Sequence, residues 1–169
     1  EAGFIDRFRP PPMAPSTVLI GKTLAHLIRN AYTVLVMTVV GFLIGFRFTG
    51  TVAQFGLALV LITFFGYAIS WLSSNIGLRA KSAQAAQGAI FIPVFPLTFL
   101  SSAFVPVATM PEWLQPIAEA NPVTVVVNAA RGLIVGLPQA DTILLAVGWI
   151  VGLVAVFAPL AIWTYRRKG

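Results

Sequence analysis

Residues 52–76 read VAQFGLALVLITFFGYAISWLSSNI, with no Asp, Glu, Lys or Arg anywhere in the stretch. A helix needs about 20 such residues to cross the hydrocarbon core of a bilayer. In lipid a helix also satisfies its own backbone donors and acceptors, which an open strand cannot do. The stretch therefore reads as a membrane-spanning helix. Its borders agree, because residues 47–51 (RFTGT) form a polar turn before it and Arg79 and Lys81 follow it.

Outward from this segment the same pattern recurs. Residues 1–15 mix charges with Pro10, Pro11, Pro12 and Pro15 and read as a loop at a membrane surface, since proline removes backbone donors. Ser16 is a candidate N-cap, and residues 16–46 read as an amphipathic helix carrying Lys22, His26 and Arg29 that continues into a first span. His26 is read there as an interfacial residue. Residues 83–107 form a third apolar stretch, in which Pro93 and Pro96 should kink the helix. Residues 110–137 differ, because Pro111, Pro116 and Pro122 divide them into pieces too short to cross about 30 Å. A re-entrant helical hairpin fits, with Trp113, Leu114 and Ile117 at headgroup level and Asn121 and Pro122 capping and starting a helix that ends near Gly132 to Gly136. Residues 142–164 make a fourth span, and residues 165–169 a basic tail. The expected fold class is all-α, a bundle of four transmembrane helices with an extracellular re-entrant hairpin before the last span.

Composition supports the bilayer. Hydrophobic residues make up 58% of the chain, charged residues 9%, and mean hydropathy is +0.90, against about 25% charged in soluble domains. A net charge of +6 would suggest nucleic acid in a soluble protein, but here the basic residues sit at the ends of apolar segments, so no nucleic-acid partner is expected. Arg7, Arg9, Lys22, Arg29, Arg79, Lys81, Arg166, Arg167 and Lys168 fall on one side of a four-span layout and only Arg47 and Arg131 on the other. The basic side is expected to be cytoplasmic and to hold both termini.

Catalytic chemistry finds little material. There are no cysteines, one histidine and five carboxylates scattered over distant loops, and no GxxxxGK[ST] phosphate loop, so neither a metal site nor a nucleotide site is expected in this chain. Glycine pairs at four-residue spacing, Gly41/Gly45, Gly132/Gly136 and Gly148/Gly152, are read first as intramolecular packing motifs. Arg131 lies in an apolar segment and must pair, with Asn128 as one partner, or snorkel to the nearby surface. Phe95, Thr98, Phe99 and Ser102 stand at i, i+3, i+4 and i+7, one helical face that mixes rings with hydroxyls and should avoid lipid.

The segments GFIDRFR (residues 3–9) and FPLTFLSSAFVPVATMPEWLQPIAEANPVTVVVNAARGLIVG (residues 95–136), with the basic tail, resemble the membrane subunit of ABC type-2 exporters, in particular the daunorubicin-resistance type of permease from bacteria. Such permeases have six spans with extracellular re-entrant helices between the last two. The resemblance implies that the four spans here correspond to the third through sixth, with two spans and an amphipathic helix preceding them. It implies that the loop carrying Asp6, Arg7, Phe8 and Arg9 contacts a separate ATPase subunit, which holds ATP and magnesium while this chain holds no cofactor. It implies a dimer with a second permease copy or paralogue in the bacterial inner membrane, and it places Phe95, Thr98, Phe99 and Ser102 beside the substrate route. The expected function is ATP-driven export of an amphipathic drug-like or lipid-like compound, by a chain that is not itself an enzyme. A secondary transporter or channel fragment, or a purely structural membrane subunit, is the alternative. On this layout, cysteines introduced at Thr109 and at Ser82 are labelled by an impermeant reagent from opposite sides, Thr109 from outside; labelling of both from one side contradicts the layout.

Overall fold

The computed structural model describes residues 15–80 and 82–168. Among them all regular structure is helical: α1 Pro15–Ile44, α2 Val52–Arg79, α3 Ala83–Phe99, a 3-10 turn Val107–Thr109, α4 Gln115–Ala120, α5 Pro122–Val135 and α6 Ala140–Lys168. Three helical stretches are long and apolar enough to cross a membrane, Leu24–Ile44, Val52–Arg79 and Ala140–Thr164. The expected third span over residues 83–107 is not one helix. It stops at Phe99 after 17 residues, about 26 Å of rise, although it runs uninterrupted through Pro93 and Pro96.

Local chemistry accounts for the starts. Thr51 caps α2 with a reciprocal pair, its hydroxyl accepting from Gln54 N–H while the Gln54 side-chain oxygen Oε1 accepts from Thr51 N–H. Ser82 caps α3 by accepting from Ala85 N–H.

α2 is the central helix. It packs on α6, α5, α1 and α3, and its buried positions are mostly small: Ala58 and Ala68 meet Ala129, Ala130 and Ala146 in the same clusters as Leu61, Val126, Leu133 and Ile150. Small residues let helix backbones approach, which is how helices associate where lipid is as apolar as the side chains. The order of these contacts fixes direction. Ala58 clusters with Leu133, and Leu61 and Ala68 cluster with Val125 and Val126, so α5 runs antiparallel along the N-terminal half of α2. The two chain ends of α5 thus lie at different depths, its start beside the middle of α2 and its end beside the start of α2. α6 runs parallel to α2, and at its far half buried Asn75 donates to Phe157 O at 2.7 Å.

The α1–α2 turn closes over the end of α5. Thr49 N–H and Gly50 N–H both donate to Ile134 O at 3.1 Å, and the Thr49 hydroxyl donates to Val135 O at 2.7 Å, which satisfies carbonyls that a helix C-terminus leaves open. Gly136 holds φ +83° with its Cβ position 3.0 Å from Gly50 Cα. The glycine pair at 132 and 136 is therefore a helix terminus and a loop contact. Gly148 and Gly152, read as intramolecular packing, meet nothing within 4 Å; that face of α6 is open. Gly136→Ala places a side chain in a left-handed conformation, costing about 1–2 kcal/mol, and presses it into Gly50, so the thermal midpoint in detergent is expected to fall, whereas Gly148→Ala, at an open position inside α6, is expected to raise it slightly.

Candidate functional site

The stop at Phe99 is imposed by residues far along the chain. In a continuing helix the carbonyls of Leu97, Thr98 and Leu100 would accept from residues 101, 102 and 104. Instead the Asn121 amide donates to Leu97 O at 2.7 Å and to Leu100 O at 2.9 Å, and the Ser101 hydroxyl donates to Thr98 O at 2.6 Å. The same Asn121 side chain caps α5, its oxygen accepting from Val123 N–H at 2.9 Å. Pro122 occupies the first helical position, where no N–H is needed.

Ser102 is then docked along α5. Its N–H donates to the Thr124 hydroxyl at 3.1 Å, its own hydroxyl donates to Asn128 Oδ1 at 2.8 Å, and its carbonyl accepts from Arg131 Nη2 at 3.0 Å. Thr124, Asn128 and Arg131 stand at i, i+4 and i+7, one face of α5. The other face, with Val125, Val126, Ala129, Ala130 and Leu133, is the apolar one that packs in the core. Ser101, Ser102, Asn121 and Thr124 are all buried. Arg131 neither pairs with Asn128 nor only snorkels, because one end of its guanidinium holds the Ser102 carbonyl.

The face expected of Phe95, Thr98, Phe99 and Ser102 is divided by this arrangement. Ser102 lies beyond the helix, so its i+7 relation to Phe95 is lost. Phe95 and Phe99, 53% and 56% exposed, stack on each other with ring centroids 4.3 Å apart, and Phe104 continues the stack at 5.6 Å. Thr98 points elsewhere, into a cleft of about 690 Å³ between α1, α2 and α3. Trp113 is exposed in the turn before α4. Asp6, Arg7, Phe8 and Arg9 lie outside the described residues.

The cleft collects polar side chains that the sequence reading did not join: His26 and Asn30 from α1, Ser70, Ser73 and Ser74 from α2, and Thr98 from α3, with Phe65, Ile69, Val94 and Val123 between them. Asn30 reaches Ser70 at 3.5 Å across the helix pair, and Gly66 makes room for it, since a Cβ there would lie 3.1 Å from Asn30 Nδ2. Ser70, Ser74 and Thr98 donate their hydroxyl protons to carbonyls one turn back in their own helices. The oxygen lone pairs they retain are acceptors. The signal in the sequence is the recurrence of Ser70, Ser73 and Ser74 at i, i+3 and i+4, one polar face at the end of the second span.

A helical membrane bundle that keeps a polar-lined cleft between its spans has the architecture of a membrane-embedded transport protein. The family model for ABC-2 type transporters matches residues 1–135, and the chain belongs to that family. It is 34% identical over 98% of its length to a daunorubicin resistance ABC transporter permease protein, DrrB1, of Streptomyces coeruleorubidus, covering 59% of that protein. It is 30% identical, with the same coverage, to a probable doxorubicin resistance ABC transporter permease protein, DrrC, of Mycobacterium tuberculosis, and 24% identical to a probable multidrug ABC transporter permease, YbhR, of Escherichia coli K12, over 99% of this chain and 45% of that one. The chain thus spans about three fifths of the length of its more similar curated relatives. No solved structure matches it.

Asn121→Asp separates the two duties of this residue. Aspartate is as good an N-cap as asparagine, but it cannot donate to Leu97 O and Leu100 O and sets a carboxylate against both. Each buried carbonyl left unpaired costs about 1–3 kcal/mol, so Asn121→Asp is expected to lower the thermal midpoint in detergent at least as far as Asn121→Ala.

Proposed function

We propose that this chain is the membrane permease portion of an ATP-driven exporter of the bacterial inner membrane. It works as a pair of permease subunits with two separate ATPase subunits and moves amphipathic, drug-like or lipid-like compounds outward. The observation that carries the reading is the polar cleft between α1, α2 and α3 in a bundle otherwise built of apolar helices. Membership of the ABC-2 family and the drug-resistance titles of the relatives support the export direction. The distribution of basic residues supports a cytoplasmic position for both termini of the chain. α3 serves as the third of four crossings, with the segment that includes α4 and α5 re-entering from the outer side and completing its thickness.

The chemistry of the cleft limits the cargo. Serine and threonine oxygens whose protons are committed to their own helices accept hydrogen bonds from a guest, and Phe65, Ile69 and Val94 supply apolar wall. A compound with a flat or linear apolar body and N–H or O–H donors, an amine included, fits that lining better than an anion does. Asp6, Arg7, Phe8 and Arg9 form the contact with the ATPase subunit, and closure of the ATPase pair tilts the spans to alternate access to the cleft. Phe95 and Phe99, exposed on the opposite side of α3, face the second permease copy across the dimer axis and border the shared route there.

Ser73 lines the cleft at a half-buried position. In the full-length permease with its ATPase, Ser73→Leu narrows the cleft and is expected to reduce export severalfold, by different factors for compounds of different size, at unchanged protein level. A change of Phe95 to Ala is expected to alter the compound profile as well. Equal export of several unrelated compounds by the Ser73→Leu protein and the wild type would remove the cleft from the route.

A further inference from the structure

A second polar cavity, of about 270 Å³, lies on the other side of α5 from the cleft, between α5 and the start of α6; Asn128, Arg131, Gln139 and Thr142 line it together with Val135 and Leu137. Its hydrogen bonds are unbalanced. Asn128 has its oxygen engaged by the Ser102 hydroxyl, which leaves Nδ2. Gln139 has its oxygen engaged by the Thr142 hydroxyl at 3.2 Å, which leaves Nε2. Arg131 gives Nη2 to the Ser102 carbonyl and keeps the donors on Nη1 and Nε. The amide and guanidinium groups left open to the cavity are therefore all donors, one of them cationic.

Most of the acceptors at the end of α5, which would ordinarily balance them, are occupied. α5 ends at this cavity, and the C-terminal carbonyls of a helix form its negative pole. Here Gly132 O accepts from Leu137 N–H and Gly136 N–H, Ile134 O from Thr49 and Gly50, and Val135 O from the Thr49 hydroxyl. The nearest carboxylate in sequence, Asp141, lines a separate groove with Leu144, Gly148 and Trp149. At the rim, Val135 and Leu137 are exposed, Leu137 by 73%, and offer apolar surface directly beside the donors.

We propose that this cavity binds the anionic oxygen group of an amphiphile, a phosphate diester above all, with Arg131, Asn128 and Gln139 as donors and with Val135 and Leu137 against the first methylenes of its chain. Guanidinium and primary amides match an oxyanion in both charge and hydrogen-bond sense. The proposal is independent of the export reading, because it concerns a different cavity whose lining is opposite in character. The phosphate can come from a membrane lipid or from water, and the two sources are separable by experiment.

The test is native mass spectrometry of the purified full-length permease in detergent with added phosphatidylglycerol or phosphatidylcholine, with and without millimolar inorganic phosphate. Wild-type protein is expected to retain phosphatidylglycerol about tenfold more than the Arg131→Gln protein, the scale of one charge-assisted contact, with Arg131→Lys between them. Since Arg131→Gln also releases the Ser102 carbonyl and can harm folding, Gln139→Glu provides the second arm. It keeps the acceptor used by Thr142 but turns the free donor into an anion, and it is expected to lose the lipid with the thermal midpoint unchanged. Arg47→Gln, which removes another arginine at the same end of the bundle, is expected to retain it. Displacement of the lipid by inorganic phosphate assigns the site to water-borne oxyanions, and persistence assigns it to lipid. Equal retention by wild type and Gln139→Glu, or an equal loss with Arg47→Gln, overturns the proposal.

Discussion

The structure turns on one amide. Asn121 accepts from the first free N–H of α5 while donating to two terminal carbonyls of α3, so a single side chain ends one helix and begins another. The junction lies beside the middle of α2, since Val123 shares the cleft with Phe65 and Ile69. At that depth a bilayer offers no water to unpaired backbone, and non-helical chain is tolerated only where protein satisfies it. Asn121, Thr124, Asn128 and Arg131 supply that satisfaction for Leu97, Leu100 and Ser102 in turn. Each buried group otherwise left unpaired costs about 1–3 kcal/mol, a sizeable share of the about 5–15 kcal/mol by which an ordinary domain is stable.

Because the polar face of α5 is committed to this segment, its apolar face is committed to the core. Ala129 and Ala130 then meet Ala58, Ala68 and Ala146, and the absence of bulk allows α2, α5 and α6 to close on one another. α1 and α3 are left on the other side of α2, and there the packing is incomplete: Asn30, Ser70 and Thr98 face one another across open volume. The cleft is thus a consequence of where α5 was drawn. Its hydroxyl acceptors and the amide and guanidinium donors of the cavity beyond α5 are two outcomes of one rule, in which a hydroxyl or amide that has spent one half of its hydrogen-bonding capacity inside the protein presents the other half outward.

What the sequence disclosed follows the range of the interactions involved. The span over residues 52–76 was legible because hydropathy is a local property, and the Asn121 and Pro122 start of α5 was legible because a cap acts within three residues. The end of α3 was not. Hydropathy continues past Phe99 to Val107, and periodicity extends with it, whereas the groups that halt the helix stand 24 and 21 residues downstream of the carbonyls they take. For the same reason Ser102 was assigned to a face of α3 when its partners on α5 are 22, 26 and 29 residues away. The cleft was missed on a different ground: each helix contributes only two or three of its polar residues, and the meeting of Asn30 with Ser70 over 40 residues depends on a glycine, Gly66, that no pattern of polar residues includes.

α5 is held at both ends by hydrogen bonds to different elements, at its start to α3 through Asn121 and at its end to the α1–α2 turn through Thr49 and Gly50. Short bonds of this kind do not stretch; they hold or break. A tilt of α3 relative to α2, the motion that would widen or close the cleft, therefore either severs the Asn121 contacts or carries α5 with it. Severing them exposes two carbonyls in an apolar setting, and carrying α5 along pulls on the three bonds that Thr49 and Gly50 make at its other end, so α5 opposes the tilt from both ends. Moving α5 as a body carries along Arg131, which forms one wall of the donor cavity, while Gln139 belongs to the start of α6. The cleft and the cavity share no lining residue, yet the same helix stands between them, held to α3 at one end and to the α1–α2 turn at the other.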